Sequence, residues 1–250
     1  MNRQDLIDEI EFSKDESREL INQLNRSVFR ARNPSVRLAA IPIYYAAWEK
    51  FFKDATTTCL KAIHAANSSA SRAPAETRAV WLLKEKEFSK FVDTLRSIID
   101  MSFEESERQK QKNFGRRLSK GLTNNTVSIL KWLDEWNSNK LPHHSDLSEL
   151  VLTFSNVNEK VVDINCRLLG INSSKDYKED KFSGLNTLLG TRNSIAHGSN
   201  TSAPGIRQTK ELSKIALAAV DNYSNVTTDW LRNQWQHPLD GRPSRLIGYF

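Results

Sequence analysis

The sequence predicts an all-α protein. Glycine and proline are scarce, at 9 and 7 of 250 residues. Valine and isoleucine nowhere alternate with polar residues, and apolar residues recur instead at spacings of three and four, which is typical of helices that bury one face. We expect a four-helix bundle with an additional N-terminal helix and a helical insertion, forming a single domain over residues 1–250.

The composition excludes several classes of protein. A hydrophobic fraction of 38% and a mean hydropathy of -0.56 are typical of a globular protein rather than a disordered or membrane one. No apolar run is long enough to span a bilayer, and the first twenty residues are too polar for a secretory signal. Cys59 and Cys166 form no metal-type pair and cannot build a disulfide framework. We therefore expect a cytoplasmic protein without a membrane partner.

The first two helices follow from their apolar spacing. A helix over 3–29 is predicted by Leu6, Ile10, Leu20, Leu24 and Val28. The sequence NPS at 33–35 interrupts it and starts a second helix over 35–66. The core-facing stripe of this second helix comprises Tyr45, Trp48, Phe52, Ala55, Cys59 and Ile63.

Residues 67–140 are expected to form an insertion after the second helix. The stretch NSSASRAPAE predicts a linker, and a helix over 75–100 follows it. Residues 101–125 are charged and poor in apolar side chains, which indicates a solvent-exposed connection. A short helix over 126–137 follows, and NSNKLPHH ends it.

Three further helices complete the expected bundle, over 145–169, 181–197 and 205–235. Together with 35–66 they form the predicted core, which spans about 35–66 and 145–235. The tail, 237–250, is expected to be extended and ends in apolar residues.

Basic residues cluster in two places. The net charge of +6 and a pI near 9.3 favour anionic partners, with nucleic acid first among them. One cluster includes Arg30 and Arg32, and the other includes Arg116, Arg117 and Lys120. These five side chains are candidate RNA-binding residues; the alternative is that each cluster is a solvated helix end or loop.

The stretch LLGTRNSIAHGSN at 188–200 holds the most informative polar residues. On a helical projection Arg192 lies between Leu188 and Ile195, on the side that also contains Leu185, Leu189 and Ala196. A buried guanidinium needs an anionic partner. Asn193 and His197 lie four residues apart and can touch, and Gly198 suits a left-handed helix cap.

These residue types fit phosphate chemistry. A guanidinium binds phosphate through paired hydrogen bonds, and an imidazole transfers protons near neutral pH. The spacing between Arg192 and His197 is by itself weak evidence for a site, because RNQWQH repeats it between Arg232 and His237. That second copy contains the bulky Trp235 and precedes a proline, which favours an ordinary helix end.

The stretch LLGTRNSIAHG resembles the motif of the HEPN superfamily, helical domains with an Arg, a polar residue, three further residues and a His. In addition, YYAAWEKFF at 44–52 is similar to a helix of its RiboL-PSP-like branch. In this chain Ala47 stands where that branch often has a His, and Lys50 where it has a Gly.

The resemblance implies a metal-independent endoribonuclease that needs no cofactor. It makes Arg192 and His197 the catalytic pair, with Asn193 as the accompanying polar residue and Glu49 as a fourth candidate. It implies a homodimer whose two motifs face one cleft, with phosphate or Glu49 as counter-ion of Arg192. Related proteins occur in toxin–antitoxin, phage-defence and RNA-processing systems, so tRNA or mRNA is the expected substrate and an antitoxin or defence complex an expected partner.

Other interpretations remain open at this level. The chain could be a catalytically silent module that binds RNA or a protein, or a structural protein in which Arg192 forms a dimer salt bridge. Glu49 could form a boundary salt bridge rather than contribute to a site. Trp48 and Cys59 are expected in the core, and His143 and His144 in a loop rather than at a metal.

Overall fold

Eight α-helices lie in the part of the chain that the computed structural model describes, residues 2–31, 33–66, 70–104, 127–142, 146–154, 156–171, 179–199 and 202–234. They are α1 Arg3–Ala31, α2 Pro34–Ala66, α3 Ala75–Lys84, α4 Lys86–Glu104, α5 127–138, α6 Glu159–Leu168, α7 Leu185–Ala196 and α8 Ile206–Asp229. A π-helical turn, Trp230–Gln234, follows α8. These residues contain no β-strand, so the predicted all-α class is confirmed.

The chain divides into two compact units. One comprises Met1–Ala66 and His144–Phe250, and the other comprises Asn67–His143. In the first unit α1, α2 and α8 pack against one another, and α7 packs against α2 and α8. The N-terminal helix is therefore a central part of this packing. The tail 237–250 lies outside the described residues.

Helix α2 is the centre of the first unit. The side chain of Asn33 accepts a hydrogen bond from the amide of Ser35, and Pro34 occupies the first helical position, where a missing N–H costs nothing. The predicted stripe is confirmed, because every member from Tyr45 to Ile63 is buried. Trp48 packs against the rings of Phe52 and Tyr223.

The predicted N-terminal helix is confirmed, but its apolar residues are not all buried. Leu20, one of the residues whose spacing predicted it, is 45% exposed. The buried positions between Ile10 and Ile21 are instead Ser13 and Ser17. These small side chains keep the helical spacing but are polar, and Ser13 satisfies its hydroxyl by donating to Asp54 of α2.

The prediction of one helix over 145–169 is wrong. A 3₁₀ turn, Leu147–Leu150, comes first, and α6 begins only at Glu159. Between them Phe154 has a φ of 45°, a left-handed conformation that interrupts a helix. The side chain of Asn158 then accepts a hydrogen bond from the amide of Val161 and starts the new helix.

The predicted helix over 181–197 also starts differently. A 3₁₀ turn, Glu179–Phe182, precedes α7. Gly184 stands at the start of α7, where an added Cβ would lie 2.8 Å from Cγ1 of Ile215. The absent side chain therefore permits the close approach of α7 to α8.

The second unit contains α3, α4 and α5. The predicted helix over 75–100 is two helices, because Glu85 has an extended conformation and its amide donates back to Leu82. No glycine or proline marks this break. Residues 101–104 belong to α4 rather than to the expected charged connection, and 105–126 lie outside the described residues. The amide of Ala70 donates to the carbonyl of Asn139 at 2.6 Å, which joins the two ends of the unit.

Candidate functional site

Helix α7 buries only its first two turns. Leu185, Leu188 and Leu189 are buried, as predicted. Ile195 is half-buried and Ala196 is exposed, so the apolar side of α7 is not buried along its whole length. The helix runs past the packed region before it ends, and its last turn therefore presents the motif at the surface.

Gly198 ends α7 in the predicted way. Its φ is +69°, the left-handed conformation that glycine adopts without steric cost, and its amide donates to the carbonyl of Ile195 at 3.1 Å. This cap places His197 at the end of the helix. The imidazole is exposed and makes no hydrogen bond to any described residue.

Arg192 lies against an aromatic ring. Its Cζ atom is 5.3 Å from the ring centroid of Tyr45, within the range of a cation–π interaction. The side chain is half-buried. The contact with Tyr45 therefore accounts for the position of Arg192 on the apolar side of α7. The predicted pairing of two chains stays a prediction.

Tyr45 is itself held in place by hydrogen bonds around Val157. Its hydroxyl oxygen accepts a hydrogen bond from the amide of Val157, and Nε1 of Trp48 donates to the carbonyl of the same residue at 3.2 Å. Burial raises the pKa of Tyr45 to about 12; the Val157 hydrogen bond lowers it, Glu49 raises it and Arg192 lowers it. The phenol is therefore neutral at physiological pH.

Asn193 is bound to Arg192. Nη1 of Arg192 donates to Oδ1 of Asn193 at 2.8 Å. The expected side-chain contact of Asn193 with His197 is not formed; only the backbone links them, since the amide of His197 donates to the carbonyl of Asn193 at 2.9 Å. The amide side chain thus orients the guanidinium.

Glu49 lies one helical turn after Tyr45 on α2. It is half-buried, and its carboxylate makes no hydrogen bond or ion pair with the described part of the chain. Burial raises the pKa of Glu49, while the charges of Arg192 and Lys53 oppose that increase. Glu49 and Arg192 therefore interact electrostatically without a direct salt bridge.

The small polar residues of α7 are satisfied locally. Thr191 and Ser194 donate to backbone carbonyls one turn earlier, at 2.8 and 2.9 Å. Their hydroxyl protons are therefore engaged within the helix. Arg192 and His197 remain as the charged or titratable side chains of this helix end.

One of the five predicted RNA-binding residues, Arg30, lies in the part of the chain that the structure describes. Arg30 is exposed near the end of α1, and Arg32, Arg116, Arg117 and Lys120 lie outside the described residues. In the second copy of the spacing, Arg232 is exposed and lies 3.6 Å from Asp229, whereas His237 is outside the described residues.

The described residues form neither a candidate metal site nor a candidate membrane span. Within the ranges described, no group of three or more His, Cys, Asp or Glu side chains could hold a metal ion. No helix among them has the length and apolar character needed to cross a membrane. Cys59 is buried, as predicted, and burial raises the pKa of its thiol.

Sequence reasoning missed Tyr45 as part of this site. Its periodic spacing placed it in the core, where it is indeed only 1% exposed. Periodicity shows that a residue faces a neighbouring helix but not which side chain it meets there. The signal that could have found it is the pairing of a tyrosine on one helix with a cation on the apolar side of another.

Comparison with known proteins identifies the family of the chain. No curated protein and no solved structure matches the chain. The model of the RiboL-PSP-HEPN family matches residues 8–229, which extend from the first turns of α1 to the end of α8. This match includes α2 and α7, the two helices that bring Tyr45, Glu49 and Arg192 together. The chain therefore belongs to the RiboL-PSP-HEPN family.

Proposed function

We propose that this protein is a metal-independent endoribonuclease whose site comprises Arg192, His197, Asn193 and Glu49. The observation that supports it most is the placement of Arg192, whose guanidinium is held by Tyr45 and Asn193 about five residues, or 7.5 Å of helix rise, before an exposed imidazole. A cation that binds phosphate and an imidazole that transfers a proton are two groups that cleavage of RNA by this route uses.

Arg192 binds the scissile phosphate in this proposal. A guanidinium has five N–H donors, and the bond to Asn193 involves only Nη1. The remaining donors can form paired hydrogen bonds with phosphate oxygens. They stabilise the charge that grows on the phosphorane in the transition state.

His197 transfers the proton. The ribose 2′-oxygen attacks the adjacent phosphorus as His197 removes its proton, and the bond from phosphorus to the 5′-oxygen breaks. The leaving 5′-oxygen takes a proton from solvent water, and the imidazolium of His197 then returns its proton to solvent. The products are a 2′,3′-cyclic phosphate and a 5′-hydroxyl. The substrate supplies the nucleophile, so this chemistry needs neither a metal nor a nucleophilic side chain, and DNA without a 2′-hydroxyl is inert.

Glu49 has a secondary role near this centre. Its carboxylate lies within electrostatic reach of Arg192. In the free protein it balances the guanidinium charge, and in the complex it helps to orient the guanidinium toward the phosphate. Its loss should therefore lower cleavage less than the loss of His197.

The proposal extends to partners. Two chains pair so that their motifs face one cleft, in the way that the family resemblance implies, and the substrate is tRNA or mRNA. A role as a toxin or defence nuclease would require an antitoxin or complex partner that restrains the exposed His197.

RNA cleavage by the purified protein in EDTA tests the proposal. The substrates are total tRNA and mRNA, and the variants are His197→Ala and His237→Ala. We expect cleavage that survives EDTA and the His237 change, leaves 2′,3′-cyclic ends and disappears with His197→Ala. No cleavage by the wild type, or cleavage that persists in His197→Ala, contradicts a nuclease at this site. RNA binding without cleavage would favour a silent binding module.

A further inference from the structure

We infer that Tyr45 is the positioning residue of Arg192: its ring holds the guanidinium in the orientation that receives the scissile phosphate. This inference rests on the proposed nuclease function and adds a residue that the motif does not contain. Tyr45 is on α2, whereas the motif is on α7.

The contact leaves the hydrogen-bonding groups of Arg192 available. The guanidinium carbon lies over the ring of Tyr45 at 5.3 Å. A cation over the face of an aromatic ring is attracted by the π-electrons and does not donate an N–H group to it. Tyr45 can therefore fix the position of the guanidinium without competing with phosphate, which a carboxylate in the same place would do.

The ring is immobile enough to act as a support. Tyr45 is 1% exposed, and its hydroxyl is bound to the amide of Val157. Trp48, three residues later on the same face of α2, is fully buried and binds the carbonyl of Val157. The hydrogen bond from Trp48 thus fixes the backbone of Val157, and the amide of Val157 in turn fixes the phenol of Tyr45.

A fixed guanidinium has a direct kinetic consequence. A free arginine side chain loses rotamer freedom when its donors align with the phosphorane oxygens in the transition state, whereas one already held by Tyr45 and Asn193 loses less. Tyr45 is buried and its hydroxyl is engaged, so it does not reach the substrate itself. It acts through Arg192, and its loss should change kcat more than KM.

Adjacent tyrosines provide a matched experiment. Tyr44 is 0% exposed and binds Asn25 through its hydroxyl, so Tyr44→Leu also removes a core ring. We expect Tyr45→Leu to lower kcat about tenfold relative to Tyr44→Leu, with KM changed less than about threefold. Tyr45→Phe keeps the ring and should restore most of kcat. Folded fractions are measured for all three variants.

A double-mutant cycle tests whether the effect passes through Arg192. Arg192→Lys should lower kcat much less in the Tyr45→Leu background than in the wild type. In Tyr45→Leu the guanidinium is no longer held in its orientation, so replacing it has less left to remove. Equal costs in both backgrounds, or equal kcat for Tyr45→Leu and Tyr44→Leu, overturn the inference even if the nuclease activity is confirmed.

NMR of the Arg192 Nε–H group decides the matter without any catalysis. A proton above an aromatic ring resonates upfield, so the Arg192 signal, assigned with Arg192→Lys, should move downfield in Tyr45→Leu but not in Tyr45→Phe or Tyr44→Leu. An unchanged signal in Tyr45→Leu overturns the positioning role. If the wild type cuts no RNA but the signal moves as expected, the proposed function fails while the contact stands.

Discussion

Arg192 donates a hydrogen bond to the side chain of its own neighbour, Asn193, at 2.8 Å. A hydrogen bond to a charged group contributes about 1.5 kcal/mol, which corresponds to about a tenfold change in rate if it acts on the transition state. We therefore expect Asn193→Ala to lower kcat about tenfold. Asn186→Ala is the control, since that amide lies on the same helix but donates to Glu159.

Asn193→Asp separates orientation from charge. Aspartate retains an acceptor for Arg192 but places a negative charge beside the phosphate site. We expect weaker binding of an uncleavable 2′-deoxy RNA than in Asn193→Ala, measured at low salt. Equal affinities would mean that the side chain at this position does not adjoin the bound phosphate.

Glu49→Gln should raise stability at neutral pH while it lowers activity. The pKa of Glu49 is raised in the folded state, so between the unfolded-state and folded-state pKa values the folded protein keeps a proton that the unfolded chain has lost. The contribution of Glu49 to the free energy of unfolding therefore falls as pH rises through this interval. At pH 7 the full penalty applies, and below the unfolded pKa it vanishes. The gain should stay under about 1 kcal/mol because the half-exposed group is screened.

Thermal unfolding at several pH values measures this effect, and Asp146→Asn is the control with the opposite sign. Hydrogen bonds from Ser148 lower the pKa of Asp146, so its stabilisation is present at neutral pH and is lost as pH falls through the folded pKa. Asparagine caps a helix as well as aspartate does, so Asp146→Asn removes the negative charge and keeps the cap. If Glu49→Gln had a lower Tm than the wild type at pH 7, burial of the Glu49 carboxylate would not be destabilising and the prediction would be wrong.

Two glycines of the α7 region should respond in opposite directions to alanine. Neither Gly190 nor Gly198 has an atom within 4 Å of an added Cβ, so space does not distinguish them. Gly198→Ala should cost about 1 kcal/mol because of its φ of +69°. Gly190→Ala, inside the helix, should gain about 0.5–1 kcal/mol. Urea unfolding measures both, and a loss at Gly190 would show that its helical conformation is strained.

Asn165 should matter more to stability than a typical polar residue. Its side chain binds both the amide and the carbonyl of Leu152, at 3.1 and 2.7 Å, and is fully buried. Asn165→Ala leaves these groups unpaired and should cost about 3 kcal/mol. The cap variant Asn158→Ala should cost about 1 kcal/mol. The reverse order in denaturant unfolding would contradict this assignment.

The basic cluster at 116–120 predicts a salt effect. Each phosphate contact with single-stranded RNA adds about 0.7 to the slope of log Kobs against log salt, so removing three contacts should lower the slope by about 2. The triple variant is Arg116→Ala, Lys120→Ala and Arg117→Ala. A matched charge loss on exposed residues of α8 comes from Arg207→Ala, Lys210→Ala and Lys214→Ala. Equal slope changes would mean that total charge, not this cluster, governs binding.

Periodicity predicted α2 well because its buried stripe is long and apolar. It failed over 145–169, where Leu147, Leu150 and Phe154 happen to be spaced like a helix although the left-handed Phe154 interrupts it. It predicted the extent of α1 but gave no sign that Ser13 and Ser17 are buried, because they are polar. Burial is decided by the facing helix, and a single-helix pattern contains no information about that partner.

The candidate site shows the same limit. Arg192, Gly198 and the motif around them could be identified from local sequence, since the cap and the helix are local. The pairing of Tyr45 with Arg192 joins residues far apart in the chain, and only the folded arrangement reveals it.

The hydrogen bond between Ala70 and Asn139 has a consequence for protein engineering. The chain leaves the first unit after Ala66 and returns at His144, and this hydrogen bond joins two points near the ends of that excursion. Loop-closure entropy depends only weakly on length, so a segment with joined ends can lengthen, shrink or be exchanged at little thermodynamic cost. We therefore expect the first unit to tolerate changes of length between residues 71 and 138, and replacement of that segment by a short linker is a practical route to a minimal version.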